Sequence, residues 1–242
     1  MVPKIAIIGA GIAGLYCTKS LLSNGYDVEL FEKSDRIGGR MKTDLVEGFQ
    51  LDHGFHVIQT GYDLTKQIID YNQLSIKAFE PGAKVIRPSK NNSRIWRLSD
   101  PFRRPISSFR DAFGFFASPF DMLRILKIRR RLRKMSVQEI FAKGDMTTQQ
   151  WLRSQGFSQS FINRFFHPLF GGIFLESELR TNERLFKFIF RTMSKGDMVL
   201  PKNGIQAVPN FLAAQIPNER IHLNTRVETF TKDSITIGGI KK

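Results

Sequence analysis

The residues best suited to do chemistry stand near the start of the chain. Gly9, Gly11 and Gly14 have the spacing G-x-G-x-x-G, Glu32 follows about twenty residues later, and Gly38-Gly39-Arg40 comes next. In such a pattern the first glycine permits a tight turn, the second lets backbone approach a pyrophosphate, and the third lets a helix pack on a strand. A helix that starts there offers unpaired N–H groups to phosphate oxygens. A carboxylate at Glu32 can accept both hydroxyls of a ribose, and the Arg40 guanidinium suits phosphate oxygens. The chemistry indicated is dinucleotide binding, and the glycines with Glu32 leave open which dinucleotide.

Two further groups could react. His53 and His56 could act as bases or metal ligands, because neutral imidazole serves either role. No Cys or carboxylate cluster at metal-ligand spacing accompanies them, so a structural role is expected and no metal. Cys17 is the single cysteine. It has no intrachain partner and is read as a packing residue rather than a reactive thiol.

The elements that must position these residues can be read from pattern. Lys4 to Ile8 is an apolar run expected as a parallel strand buried on both faces. Ile12 to Leu22 reads as a helix ended by Asn24-Gly25, and Asp27 to Glu32 as the next strand. Tyr62 to Tyr71 reads as an amphipathic helix, with Leu64, Ile68 and Ile69 or Tyr71 facing inward. From about Ala83 the texture changes. Ala83–Arg87 and Arg94–Leu98 flank Ser89-Lys90-Asn91-Asn92, which predicts a β-hairpin. Pro101 and Pro105 interrupt the stretch after the hairpin. A helical region is expected from about Ser107 to Met135, with Ser118 as an N-cap, Pro119 as first helical residue and Asp121 in the first turn. Ile125, Ile128, Leu132 and Met135 form its apolar stripe, with basic residues opposite. Thr148 to Gln155 predicts a helix ended by Gly156, and Ser158 to Phe166 another stopped by Pro168. Leu185 to Arg191 adds a helix rich in phenylalanine, whose density favours core over a pocket lining. Thr229 to Ile237 opens a small meander.

Composition sets the outer bounds. The 242 residues suffice for one large domain or two small ones, and a 41% hydrophobic share suits a globular chain. No apolar run reaches membrane-span length, and the N-terminus enters a strand without a signal pattern, so a cytoplasmic protein is expected. The net charge of +15 makes an anionic surface a hypothesis to carry. Arg124, Lys127, Arg129, Arg130, Arg131, Arg133 and Lys134 crowd one segment. One reading is a solvated helix face. The sharper one is peripheral attachment to an anionic membrane surface, supported by Phe113, Phe115, Phe116 and Phe120 just upstream. No recognised nucleic-acid module is present, and no nucleic-acid partner is expected.

The stretch Ile8-Gly9-Ala10-Gly11-Ile12-Ala13-Gly14-Leu15, then Phe31-Glu32-Lys33, then Gly38-Gly39-Arg40 resembles the FAD-dependent amine oxidase superfamily, which includes amine oxidases, protoporphyrinogen oxidase and phytoene desaturases. In that family these residues bind FAD rather than NAD. The segment around Asp52, His53 and Gly54 resembles one that runs near the flavin, which adds Gly54 to the candidates; Asp52 is expected to tie down its loop. By the same resemblance the backbone at Val227 meets the adenine. Phe165–Phe174 is similar to the segment leading into the substrate-domain helices of the desaturase and protoporphyrinogen oxidase side, and Met198–Gln206 to the proline-glycine turn that returns to the nucleotide domain.

The resemblance implies an α/β fold. A Rossmann-like FAD-binding domain would be built discontinuously from about residues 1–73 and 194–242, with a mainly helical substrate domain at 74–193. It implies an FAD-dependent oxidoreductase moving hydride from a C–N or C–C unit of a small or apolar substrate to flavin. One alternative is a carotenoid desaturase-like enzyme at a membrane surface. Another is a truncated or split member that needs a complementary chain, because family members continue beyond the point matching Lys242. The lysine that polarises water beside the flavin in many amine oxidases belongs to that later part, so no catalytic residue is nominated.

Overall fold

A computed structural model describes residues 4–54, 56–87, 94–99, 118–238 and 240–241. In chain order the first elements are β1 (Lys4–Ile8), α1 (Ile12–Ser23), β2 (Asp27–Phe31), β3 (Thr43–Val46), β4 (Phe49–Asp52), β5 (Ile58–Gln59), α2 (Asp63–Ile68), β6 (Ile76–Ala78), β7 (Gly82–Arg87) and β8 (Arg94–Ser99). Helices come next: α3 (Pro119–Lys134), α4 (Val137–Ala142), α5 (Thr148–Ser154), α6 (Gln159–Phe161), α7 (His167–Phe174) and α8 (Glu183–Lys195). The chain ends with β9 (Met198–Pro201), α9 (Ala207–Ala213), β10 (Ile221–His222), β11 (Val227–Phe230), β12 (Ile235–Ile237) and β13 (Ile240–Lys241). The fold is α/β, as expected. The Ser89–Asn92 turn, Pro101, Pro105, the region from Ser107 through Phe113, Phe115 and Phe116, and Phe55 lie outside the described residues.

The chain divides into two compact units. The first comprises Met1–Ile58, Tyr62–Ala78 and Val199–Lys242, and the second Gln59–Gly61 and Phe79–Met198.

In the first unit, β2 is the middle strand of a parallel sheet ordered β1-β2-β10, with Ile5 opposite Val28 and Ile221 opposite Leu30. One face is covered by helices, where Leu15, Leu30, Leu212, Ala213 and Ile216 form a buried cluster with Ile7 packed against it. The other face carries Lys4, Ala6 and Ile8 beside Asp27, Glu29 and Phe31, following the strand alternation. There Glu29 holds three cationic or imidazole groups: Lys4 Nζ at 3.4 Å, Arg220 Nη1 at 3.0 Å and His222 Nε2 at 2.5 Å. The expectation that β1 is buried on both faces is therefore corrected. Among the described residues β1 pairs only with β2, and Ile8 is 50% exposed.

Two other expectations in this unit change. The helix predicted over Tyr62–Tyr71 is only Asp63–Ile68, because Ile69 takes up extended backbone (φ −116°, ψ 121°). Helical periodicity therefore fails beyond Ile68; Ile69 is buried and Leu64 faces outward. Cys17 is exposed on α1, so its expected packing role does not hold.

The second unit is organised by aromatic packing. Phe161, Phe166, Phe170 and Phe186 are fully buried and share a core with Trp151, Ile128 and Leu132. Phe170 and Phe186 rings lie 4.6 Å apart, and Phe161 meets Phe166 edge-on at 5.4 Å. Within residues 185–191 Phe186 is core, as the density of phenylalanine there suggested, while Phe188 and Phe190 are partly buried. The Ser118 cap holds: its hydroxyl accepts from the Asp121 N–H, and Pro119 opens α3. Pro168 does not stop its helix. A π-helical segment, Ile162–Phe166, joins α6 to α7, so Pro168 lies within a continuous helical run, just past this widened turn. β7 and β8 pair antiparallel, Arg87 opposite Arg94, as the hairpin reading required.

Candidate cofactor site

The site is built where β1 ends. Gly9 has φ +97°, a conformation that favours glycine, and its N–H donates to Phe31 O at 2.7 Å. The chain then turns into α1 with Gly11 as N-cap, so no capping side chain occupies the first turn and no acidic residue stands there. The leading N–H groups of α1, including those of Ile12 and Ala13, thus face no side-chain acceptor of their own helix, and the helix dipole favours an anion.

The three glycines differ in what surrounds them. A Cβ at Gly14 would lie 1.9 Å from Gly9 O, so Gly14 is required for helix to meet turn. A Cβ at Gly11 would meet nothing within 4 Å. Gly11 has ordinary extended backbone, φ −75° and ψ 177°. Among the described residues no neighbour demands glycine at this position, and the open space beside it fits a backbone kept bare for a ligand.

Glu32 closes the turn from the next strand. Its Oε2 accepts from the Ala10 N–H at 2.8 Å, and its Oε1 accepts from the Ser34 N–H at 2.9 Å and the Ser34 hydroxyl at 2.5 Å. The residue is 7% exposed. Burial pushes its carboxyl up, but the bonds from Ser34 and Ala10 outweigh burial and hold it below the usual carboxylate range. With two lone-pair sites per oxygen, the carboxylate keeps acceptor capacity on Oε2. Lys33 beside it is exposed.

Gly38 and Gly39 reach the same place. The Gly38 N–H donates to Ala10 O at 2.8 Å, Gly11 bridges Gly38 in parallel, and a Cβ at Gly39 would come within 3.2 Å of Gly11 Cα. Arg40 follows on the exposed surface. Val227 starts β11, two residues past Thr225, whose N–H donates to Glu32 O at 2.8 Å. The structure thus gathers Gly9–Gly14, Glu32 and Gly38-Gly39 into one loop cluster and brings the approach to Val227 alongside Glu32.

Gly54 belongs to a different neighbourhood, just past β4, with its N–H on Asp52 O at 2.8 Å. Asp52 does tie down its loop. Its Oδ1 accepts from the Thr43 hydroxyl at 2.6 Å and the Ile205 N–H at 3.1 Å. Thr43 in turn accepts from the Gln206 N–H at 3.0 Å, and Gln206 donates to Ile37 O at 3.1 Å, next to Gly38. Sequence reasoning missed Ser34, Thr43 and Gln206. A serine two residues after a strand-end acid is a local hydrogen-bonding signal; Thr43 and Gln206 carry none. His53 Nε2 lies 2.6 Å from Asp44 Oδ2, and His56 Nε2 lies 3.0 Å from His53 O.

Comparison with known proteins decides what this turn descends from. The family described as flavin containing amine oxidoreductase matches residues 12–239. The chain belongs to that family. Members of that family are described as flavin-containing oxidoreductases. Over 253 aligned residues the chain is 27% identical to the L-amino-acid oxidase of Bungarus fasciatus, covering 96% of this chain and 46% of that relative. Over 51 residues it is 45% identical to a 4,4'-diapophytoene desaturase of Staphylococcus aureus, 21% of this chain and 10% of that one. An oxidoreductase structure from Methanosarcina mazei superposes with a TM-score of 0.72 at 21% identity, covering 99% of this chain and 56% of that one, and so shares its fold. The chain spans about half the length of relatives it matches end to end.

Proposed function

We propose that this chain forms the nucleotide-holding part of an FAD-dependent oxidoreductase that removes hydride from a C–N or C–C unit of a small or apolar substrate. FAD supplies the hydride-accepting ring. The chain's own residues bind and orient the cofactor. The α1 N-terminus and the bare backbone at Gly9 and Gly11 receive the pyrophosphate. Glu32, ionised at neutral pH and held rigid by Ala10 and Ser34, accepts from ribose hydroxyls. Gly38-Gly39-Arg40 flanks the phosphates, with the exposed Arg40 guanidinium available to them, and Val227 and Gly54 border the adenine and flavin ends. The observation that carries this reading is the open space beside Gly11 at an uncapped helix start, faced by a buried carboxylate. Titration of the purified chain with FAD, followed by the shift in the visible flavin band, tests it. Saturable uptake is expected, and absence of any bound flavin overturns it.

A second reading concerns completeness and has its own observation. Among the described residues β1, apolar from Ile5 to Ile8, pairs only with β2, with Ile8 half exposed, and an apolar strand of a parallel sheet ordinarily has both edges and faces covered. We infer that a further parallel segment, from a longer polypeptide or a complementary chain, pairs with β1 and adds the residues beside the reacting ring. If adding such a segment tightens the uptake that the chain shows alone, the reading stands; uptake unchanged by the segment overturns it. The 45% match to a desaturase leaves the polyene-directed alternative in place for substrate screening once flavin is bound.

A further inference from the structure

We propose that one face of α3 docks on the surface of an anionic lipid bilayer. At 3.6 residues per turn, Phe120, Leu123, Lys127, Arg130, Arg131 and Lys134 fall within an arc of about 100°. All six are exposed, Phe120 at 69% and Leu123 at 62%. The arc contains no acidic residue, and among the described residues none of its four cations forms an ion pair. The opposite side of the helix is committed to the core. Ile128 and Leu132 are buried in the phenylalanine cluster, with Ile125 and Met135 packed against it.

The structure separates this face from the basic run as a whole. Arg129 is buried, and Arg124 leans on Asp121 at 3.5 Å, so neither contributes to the surface. Arg133 is exposed but lies outside the arc. What remains is an amphipathic surface of a particular kind, with two apolar side chains at the N-terminal end and cations over the next two to three turns. An anionic bilayer answers both parts, since phosphate headgroups neutralise the cations while Phe120 and Leu123 enter the interfacial layer. A nucleic acid would satisfy the cations and leave Leu123 in water. The chain's net charge of +15 favours the same encounter at long range. This proposal is independent of flavin binding.

Sedimentation of the 242-residue chain with phosphatidylcholine vesicles, with and without phosphatidylserine, tests it. Binding is expected only with phosphatidylserine and should fall as salt rises. Each basic residue near such a surface contributes about fivefold in partitioning, so the K127Q/R130Q/R131Q/K134Q variant should lose on the order of a hundredfold or more. R133Q should change little. F120S/L123S should weaken the binding that survives at high salt. Should the quadruple variant lose its far-UV circular dichroism, R130Q and R131Q singly carry the same test, each about fivefold weaker. The proposal is overturned if the parent ignores anionic vesicles, if it binds neutral vesicles equally, if the neutralised variant partitions like the parent, or if these residues hold a DNA duplex and not the vesicles.

Discussion

Gly11 and Gly14 occupy the same motif yet should answer substitution in opposite ways. Gly14→Ala places a Cβ 1.9 Å from Gly9 O, so the turn must give way and stability should fall by about 1–3 kcal/mol. Gly11→Ala meets nothing, so stability should fall by no more than the loss of a glycine N-cap, about 1 kcal/mol or less, while FAD titration weakens at least tenfold, because the methyl stands where the ligand would. Thermal melts and flavin titrations on the two variants, side by side, check this. Glu32→Ala should likewise weaken FAD binding more than Arg131→Ala, since Glu32 sits in the turn and Arg131 on an exposed helix face; equal effects would contradict both assignments. These residues were legible in the sequence because each requirement is local to a turn. The support behind them was not. Thr43 and Gln206 meet across 163 positions of chain, and neither residue type advertises a partner at that distance.

At the level of elements, α3 depends on one buried acid. Asp121 is fully buried and accepts from the Ser118 hydroxyl at 2.8 Å, the Ser158 N–H at 3.0 Å and the Ser158 hydroxyl at 2.7 Å. Ser118 caps α3 and Ser158 caps α6, so a single carboxylate fastens the starts of two helices. Asp121→Ala removes the charged acceptor that both helix starts share and should cost about 1–3 kcal/mol, measurable by urea denaturation. The cap itself was readable, since Ser-Pro-x-Asp is a local signal. Its second role was not, because Ser158 lies 37 residues away. Pro168 misled for a related reason. Proline ordinarily breaks a helix interior, and only the π-helical segment before it shows that the helix continues with a widened turn there. Likewise an all-apolar run at β1 argues for burial on both faces, whereas actual burial depends on strands and helices the run does not encode.

Across the whole molecule, six carboxylates among the described residues sit below their ordinary range, and Glu29, Glu32 and Asp121 are the three that packing shields most. Glu29, Glu32 and Asp121 all titrate below their ordinary values: burial pushes each up, and hydrogen bonds or nearby cations, His222 and Lys4 for Glu29, outweigh it. A group whose folded pKa is depressed adds stability that is complete above its unfolded pKa and is lost as pH falls through the folded value. Stability should therefore be flat through neutral pH and decline below about pH 4.5, with the urea midpoint falling as the solution is acidified. Glu29 and Glu32 belong to the first unit and Asp121 to the second, so both units should weaken in the same window. The lone exposed thiol on α1 has a practical consequence. Because Cys17 is the chain's single cysteine, a maleimide dye attaches there with one-to-one stoichiometry and nowhere else. It sits about 9 Å along the helix from Gly11, close enough for occupancy of the turn to change the dye's emission. Cofactor arrival could then be timed by stopped-flow fluorescence, before any substrate has been identified.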